Sequence, residues 1–221
     1  LKEIKNCEVC GNQELISVFD LGPQPLCDDL VQIGDNRVCQ EYPTEVLFCI
    51  KCLTAHQRFQ IQKTDLFTNS YHYRARFTSD VLNGMLRLVE SSKRRFGKLE
   101  GKKVLDIGCN DGSLLDFFRE HGAITIGVEP TGAYVDAKEK GHIIINEYFS
   151  EKVADSIINI HGKPDFITFT NVFAHIDNLQ EVIRSLKILL CSKTIIIIEN
   201  HYLGEVVKKN QFDTFYHEHP R

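Results

Sequence analysis

Three groups of residues in this sequence have types and spacings suited to chemistry. The first is a set of thiols. Cys7-Glu8-Val9-Cys10 and Cys49-Ile50-Lys51-Cys52 are two C-x2-C pairs separated by 38 residues. Each pair offers two thiolates from one tight turn, which is half of a tetrahedron, and two such turns close a four-thiolate zinc site. With all four positions filled none stays open to substrate. The expected role is therefore structural, stabilising a small lobe with little core of its own. Iron in the same four thiolates is an open alternative at this spacing. Cys27 and Cys39 read as packed thiols, and His56, four residues past Cys52, is a poor ligand candidate.

The second group is a loop, Val104-Leu105-Asp106-Ile107-Gly108-Cys109-Asn110-Asp111-Gly112. Gly108 and Gly112 lack a Cβ, so the backbone there can turn sharply and approach a ligand. A helix beginning just after the loop would aim its free N–H groups at that ligand. Glu129 follows Asp106 by 23 residues. At the end of the next strand, its carboxylate can accept hydrogen bonds from ribose hydroxyls. A dinucleotide loop usually reads G-x-G-x-x-G, leaving room for a pyrophosphate. Here the spacing is G-x-x-x-G, with Asp106 and Asp111 close by. Two carboxylates repel a pyrophosphate and suit the cationic ammonium of S-adenosylmethionine. The loop resembles motif I of the class I methyltransferases, usually D-x-G-x-G-x-G. Asn110 stands where the middle Gly of that form is common, and Asn tolerates left-handed backbone angles. The ends of the third and fourth strands should also meet the cofactor, with Phe149 beside the adenine and Asn171 near the methionine end.

The third group is the stretch Gln211-Phe212-Asp213-Thr214-Phe215-Tyr216-His217-Glu218-His219. Proton abstraction beside a ketone needs a base near neutral pKa, a phenol donor and a carboxylate that orients the base. Tyr216, Glu218 and a histidine supply all three. His175, after the fourth strand, is a further candidate.

These groups need elements to hold them. Residues 1–65 are rich in Cys, Gly, Pro and short apolar runs, and are expected to form a zinc-binding module. Gly22-Pro23-Gln24-Pro25 reads as a turn, and 45–48 as a short strand. Residues 66–221 are expected to form the cofactor domain. Val81, Leu82, Met85, Leu86, Val89 and Phe96 recur at helical spacing and predict an amphipathic helix over 79–96. Strand and helix patterns then alternate: strands at 103–107, 124–128, 142–145, 166–170 and 194–199, helices at 113–121, 132–140, 150–158 and 179–190. Thr131 and Ser150 are expected as N-caps. The strands are continuous apolar runs, which suits burial on both faces. Five strands separated by helices predict an α/β, Rossmann-like parallel sheet.

Composition narrows the function further. The chain has 221 residues, 43% hydrophobic and 25% charged, with a net charge of −4. Nothing in that balance favours a nucleic-acid groove or a membrane surface. The longest apolar run, Thr194-Ile195-Ile196-Ile197-Ile198, is too short to span a bilayer. No signal-peptide pattern opens the chain. Eight cysteines with two paired sets read as a reduced, cytoplasmic protein with one metal site.

Taken together, the chain resembles the zinc-module-containing S-adenosylmethionine-dependent C-methyltransferases that modify nucleotide-linked 4-keto-deoxysugars. The matching pieces are the two Cys pairs with Phe19-Asp20-Leu21-Gly22 and Pro25-Leu26 between them, Tyr71-His72-Tyr73, the Asp106–Gly112 loop, Asn171 to His175, and the stretch from Phe212 to His219. The resemblance implies a class I methyltransferase fold, S-adenosylmethionine, a structural zinc and methyl transfer to carbon in deoxysugar biosynthesis. It implies His219 as the base, with Tyr216, Glu218, His175 and one of Tyr71 or Tyr73 around the sugar. Asp106, Gly108, Asn110, Gly112, Glu129, Phe149 and Asn171 would hold the cofactor. The implied partner is a nucleotide sugar. Members of that family continue well beyond the position of Arg221, so the chain is expected to be a truncated form. Two alternatives follow: a fragment that binds zinc and cofactor without activity, or an O- or N-methyltransferase on another small molecule.

Overall fold

The computed structural model describes residues 1–211 and 215–221. The expected motif residues Phe212, Asp213 and Thr214 lie outside the described residues. The chain divides into two compact units. One contains Leu1–Leu66, Ala174–Leu179 and Asn200–Arg221, the other Phe67–Phe173 and Gln180–Glu199. The expected boundary near 65 therefore marks only the first crossing, because two later segments join the N-terminal unit.

That N-terminal unit is built on strands β1 (Lys2–Glu3), β2 (Leu15–Pro25), β3 (Glu41–Cys49), β4 (Thr54–Gln57) and β5 (Phe59–Gln60), followed by one helical turn, α1 (Lys63–Leu66). β2, β3 and β4 form an antiparallel sheet in that order, and β1 pairs with β5. The expected turn at Gly22-Pro23-Gln24-Pro25 is instead part of β2. Its register slips between Asp20 and Pro23, where Gly22 takes φ +71° and its N–H reaches Asp20 Oδ1 at 2.8 Å. β2 is an edge strand, so Pro23 and Pro25 remove no hydrogen bond from a second neighbour. The chain's last residues pack into this unit. The Gln57 N–H donates to the Pro220 carbonyl at 3.0 Å, and His217 Nε2 lies 2.8 Å from Thr44 Oγ1 and 3.1 Å from the Tyr42 carbonyl.

The second unit opens with α2 (Ser79–Phe96), as the periodicity predicts. Met85 and Val89 face inward, and Gly97 at φ +88° ends the helix by donating to the Lys93 carbonyl. There follow β6 (Lys103–Ile107), α3 (Ser113–Glu120), β7 (Ile124–Val128), α4 (Tyr134–Glu139), β8 (Ile143–Ile145), α5 (Glu151–His161), β9 (Phe166–Thr170), α6 (Leu179–Leu189) and β10 (Ile195–Glu199). The last helix, α7 (Leu203–Lys208), returns to the first unit. The sheet order is β10-β9-β6-β7-β8, all parallel, with β6 at the centre. The chain leaves β6 in one direction for β7 and later returns on its other side with β9. That reversal leaves a crevice at the carboxyl ends of the central strands, where open α/β sheets bind ligands.

Burial on both faces holds for β6, β9 and, beyond the exposed Ile124, β7, but not for the edges. Ile143 is 40% exposed on β8, and Ile196 and Ile198 are 37% and 48% exposed on β10. Edge strands have fewer neighbouring layers to cover them. The centre is dry, with Val104, Leu105, Leu114, Leu115, Phe118, Ile167 and Phe169 all at 0% exposure. Ser150 caps α5 as expected, accepting from the Val153 N–H at 3.4 Å. The cap position of α4 is Ala133 rather than Thr131. The Thr131 hydroxyl still accepts the Ala133 N–H at 3.3 Å, but it donates at 2.6 Å to the Glu129 carboxylate, a stronger, charged acceptor.

Candidate metal centre, histidine cluster and cofactor cradle

The four paired thiols converge as their spacing predicts. The Sγ atoms of Cys7, Cys10, Cys49 and Cys52 all lie within 4.8 Å of one another. Cys7 and Cys52 are 3.4 Å apart, Cys10 and Cys49 3.6 Å. Zinc–sulfur bonds of about 2.3 Å set the edge of a tetrahedron near 3.8 Å, so the residues fit the ion. Burial opposes ionisation of Cys49, yet the N–H groups of Cys52 and Lys51 and the Asn12 amide bring its thiol down to about 6. His56 is not a fifth ligand. Its Nε2 sits 3.3 Å from Cys7 Sγ, in a position to support that thiolate. Cys27 and Cys39 stand outside the quartet, on Glu218 Oε1 at 3.1 Å and the Asp29 carbonyl at 3.4 Å.

In the same unit, the segment 215–221 brings three of the expected residues together. The His219 ring stacks on His175 with centroids 4.5 Å apart and lies 5.7 Å from the Tyr216 ring. His175 Nδ1 donates to the Glu218 carbonyl at 2.8 Å, which leaves the ring lone pair on Nε2. Desolvation lowers the His219 pKa to about 3, with His175 and His201 adding to the effect, so its imidazole is neutral. His201, 6.1 Å from His219, is a member that sequence reasoning passed over. The available signal was its place two residues beyond the last strand. The Glu218 carboxylate takes the Cys27 thiol, which local desolvation and Glu218 push up to about 12, so Cys27 remains a donor. His217 proves to be a clip for the tail rather than part of the cluster, through Thr44 and Tyr42. Tyr71 and Tyr73, expected around the same sugar, belong to the sheet unit.

The sheet unit carries the Asp106–Gly112 loop. Gly108, Asn110 and Gly112 take φ of +70°, +50° and +75°, so the left-handed stretch expected of the two glycines and Asn110 is present. A Cβ at Gly112 would lie 2.8 Å from the His142 ring, and one at Gly108 2.5 Å from Val172. Both glycines are thus needed by packing as well as by backbone angle. Glu129, 4% exposed, collects the Asn110 N–H at 2.9 Å and the Thr131 N–H and hydroxyl at 2.9 and 2.6 Å. Burial raises its pKa despite those donors. Asp106, 3% exposed, accepts from the Thr168 hydroxyl at 2.6 Å, and burial pushes it up to about 7.

Asp111, expected to meet a cofactor ammonium, is committed elsewhere. Its carboxylate takes the Ser113 N–H and hydroxyl and the Arg76 N–H, so it starts α3 and anchors the preceding segment. Asn110 ties down that segment too, through the Ala75 N–H and the Tyr73 carbonyl. Arg74 and Arg76 pair with Asp136 at 2.7 and 3.1 Å. Asn171 also has a left-handed backbone, at φ +54°. Phe149 packs edge-on against Phe169 with centroids 6.2 Å apart. Thr170 Oγ1, at the carboxyl end of β9, is buried without a hydrogen-bond partner. A left-handed loop, a strand-end carboxylate and an orphaned hydroxyl at the sheet's carboxyl edge fit a nucleoside cofactor with polar groups.

Comparison with known proteins finds two family models along the chain. A family model described as "Methyltransferase domain" matches residues 72–221. A second, described as "Putative zinc binding domain", matches residues 7–67. The chain is 31% identical over 221 residues to the C-methyltransferase NovU of Streptomyces niveus, covering 99% of this chain and 52% of that protein. A ubiquinone biosynthesis O-methyltransferase of Escherichia coli is 35% identical over 96 residues, 41% of this chain and 39% of that protein. The chain therefore spans about half the length, or less, of these curated relatives. A solved S-adenosylmethionine-dependent methyltransferase from Archaeoglobus fulgidus is 18% identical, covers 60% of this chain and 61% of its own, and superposes with a TM-score of 0.44.

Proposed function

The chain belongs to the methyltransferase-domain family and has the class I fold, and from that premise we propose that it is the zinc- and S-adenosylmethionine-binding part of an enzyme that methylates carbon on a nucleotide-linked keto-deoxysugar. The observation that carries the reading is the stacked pair of His219 and His175 with Tyr216 beside it. A methyl donor that is already electrophilic needs little activation. The demanding step is to make a carbon nucleophile, and the cluster is suited to that step.

In this reading Gly108, Asn110 and Gly112 lend backbone to the cofactor, and Asp106 keeps the loop seated through Thr168. Glu129 receives the ribose hydroxyls. Phe149 and Asn171 border the adenine and methionine ends. S-adenosylmethionine, when bound, supplies an electrophilic methyl group on a sulfonium. His219 accepts a proton from the carbon beside the ketone, and the Tyr216 phenol donates to the enolate oxygen. Glu218 orients the segment, while His175 and Tyr71 or Tyr73 contact the sugar. A neutral imidazole can accept a proton, but a desolvated one does so weakly. The diphosphate of a nucleotide sugar would bring negative charge that favours the imidazolium and raises the basicity of His219. Cys7, Cys10, Cys49 and Cys52 would hold Zn2+ with all four positions filled by thiolates, so the ion would have a structural role and take no part in the reaction.

The likeness to a C-methyltransferase along nearly the whole chain supports carbon as the acceptor. The shorter likeness to an O-methyltransferase keeps oxygen as the second reading. The two separate in deuterated water. The protein incubated with a panel of nucleotide-linked 4-keto-sugars should exchange the hydrogen beside the ketone. With S-adenosylmethionine present, mass spectrometry should show a methyl on that carbon. Methylation at oxygen without exchange would overturn the carbon reading. Failure of S-adenosylmethionine to bind in calorimetry would overturn both.

A further inference from the structure

The metal turn carries a side chain that the chemistry above does not use. Glu8 sits between the two thiols of Cys7-Glu8-Val9-Cys10, and three donors meet its carboxylate. Lys2 Nζ reaches Oε1 at 2.7 Å; Gln60 Nε2 and an Arg221 guanidinium nitrogen reach Oε2 at 2.9 and 2.7 Å. The Arg221 side chain is only 8% exposed. Its terminal guanidinium nitrogens also donate to the carbonyls of Ile176 and Asp177, the two residues that follow His175. Gln60 in turn reaches the Pro220 carbonyl at 3.4 Å, which also accepts the Gln57 N–H. One carboxylate on the metal turn is thus joined to the residues just beyond His175 and just beyond His219.

We propose that Glu8 is a positioning residue that couples the metal centre to the two stacked histidines. A C-x2-C turn is rigid when both thiolates hold an ion and loose when they do not. Arg221, nearly buried, needs a counter-charge held in one place, because an unpaired buried cation is strongly unfavourable. Glu8 provides it at a point whose position the metal sets. Arg221 then fixes the chain after His175, and Gln60 and Gln57 fix the chain after His219. The metal acts on the histidine pair through about two side chains, without touching substrate. The chemical meaning of this link rests on the reading of His219 as the base; the link itself does not.

The test is hydrogen exchange by mass spectrometry on the chain, with Glu8→Gln as the conservative variant and Lys2→Ala as a control on the same carboxylate. Glu8→Gln should keep about one zinc by elemental analysis and leave S-adenosylmethionine affinity unchanged in calorimetry. Amides around 175–177 and 217–221 should exchange roughly 10–100-fold faster, with β3 unchanged, the pattern of a local opening. Stripping zinc from the wild-type chain with a chelator should reproduce that gain. Stripping it from Glu8→Gln should add little at those amides, because the link is already cut. Lys2→Ala should change nothing. Unchanged exchange at 217–221 in Glu8→Gln, or an equal rise throughout the unit, overturns the proposal. So does loss of zinc from Glu8→Gln, which would make Glu8 part of the metal site. If S-adenosylmethionine fails to bind the wild-type chain, the methyltransferase reading falls while the exchange result still decides the link.

Discussion

The two units are held together by different physics. In the sheet unit most buried side chains are apolar, from Val104 and Leu105 through Phe118 and Ile126 to Phe169, although Asp106, Asp111, Glu129, His142 and Thr168 are buried there as well. In the strand unit much of the buried material is polar: Thr44, His56, Gln57, Gln60, His217 and Glu218. Among the described residues, the buried polar atoms without a partner are Thr170 Oγ1 in the sheet unit and atoms of His56, Gln57, Gln60 and Arg221 in the strand unit. Burying a polar group contributes little net stability, and leaving one unmatched costs about 1–3 kcal/mol. Hydrophobic burial can support the sheet unit, whereas the strand unit has less of it and carries the four-thiolate cluster that a metal ion would fit.

The largest expected effect tests this contrast directly. Cys49→Ser, or removal of the metal, should forfeit most of a binding free energy on the order of 10 kcal/mol that is also folding free energy. Hydrogen exchange should then lose protection across β2, β3 and β4, while β6, β7 and β9 keep theirs. Melting of the parallel sheet in the same experiment would end the claim that it stands on its own core.

Next in size is the chemistry. His219→Ala should cut turnover of a nucleotide keto-sugar by about 10²–10⁴-fold, the usual worth of a general base. Calorimetry should find S-adenosylmethionine affinity unaltered, since the cradle belongs to the other unit. A matching loss of cofactor affinity would make His219 a structural residue. The converse experiment is a cut into the sheet unit's core. Phe118→Ala should cost about 3–5 kcal/mol in thermal or denaturant unfolding of that unit, from lost transfer energy and the cavity left behind. The zinc content should not change.

Smaller effects concern the cradle. Glu129→Gln removes the charge while keeping the shape, and should weaken S-adenosylmethionine by about 1–3 kcal/mol, the range for hydrogen bonds to a charged group. Equal affinity in the variant would remove Glu129 from the ribose site.

The smallest effect is a difference in pH slope. Asp106 is raised to about 7 by burial, so its contribution is fully present below the unfolded carboxyl value, near 3.9, and is lost as pH rises through about 7. His219 is lowered to about 3, so its contribution is present above the unfolded imidazole value, near 6.5, and is lost as pH falls below it. His142 in the sheet unit, also lowered by burial, has the sign of His219, so a variant is needed to isolate the carboxyl. Asp106→Asn should flatten the fall in the sheet unit's stability between about pH 4 and 7. Parallel unfolding curves for variant and wild type across that window would show that Asp106 titrates normally.

How much could be read in advance follows from how local each interaction is. The helix at 79–96, the strand at 103–107 with its left-handed loop, the strand at 166–170 and the two thiol turns were all evident in the sequence. Each depends on residues within a few positions of one another: an apolar period, a glycine where φ must be positive, two cysteines on one turn. Even the closure of the metal site was predictable, because four equivalent thiols have one sensible partner set. Elsewhere the assignment depended on what the chain met. Gly22-Pro23-Gln24-Pro25 has the composition of a reversal, yet it lies along β3 because an edge strand tolerates proline. Thr131 has the composition of a cap but bonds to Glu129, and Asp111 has the charge for a cofactor ammonium but holds Ser113 and Arg76. The grouping of His175, His201 and His219 was beyond reach in the same way, as was the hold of Glu8 on Arg221, 213 positions away. Residue type sets what a side chain can bond to, and local periodicity sets which face it occupies. Which donor meets a carboxylate at such a separation is decided only when the chain closes and brings the nearly buried Arg221 guanidinium beside it, where an unpaired cation would be costly.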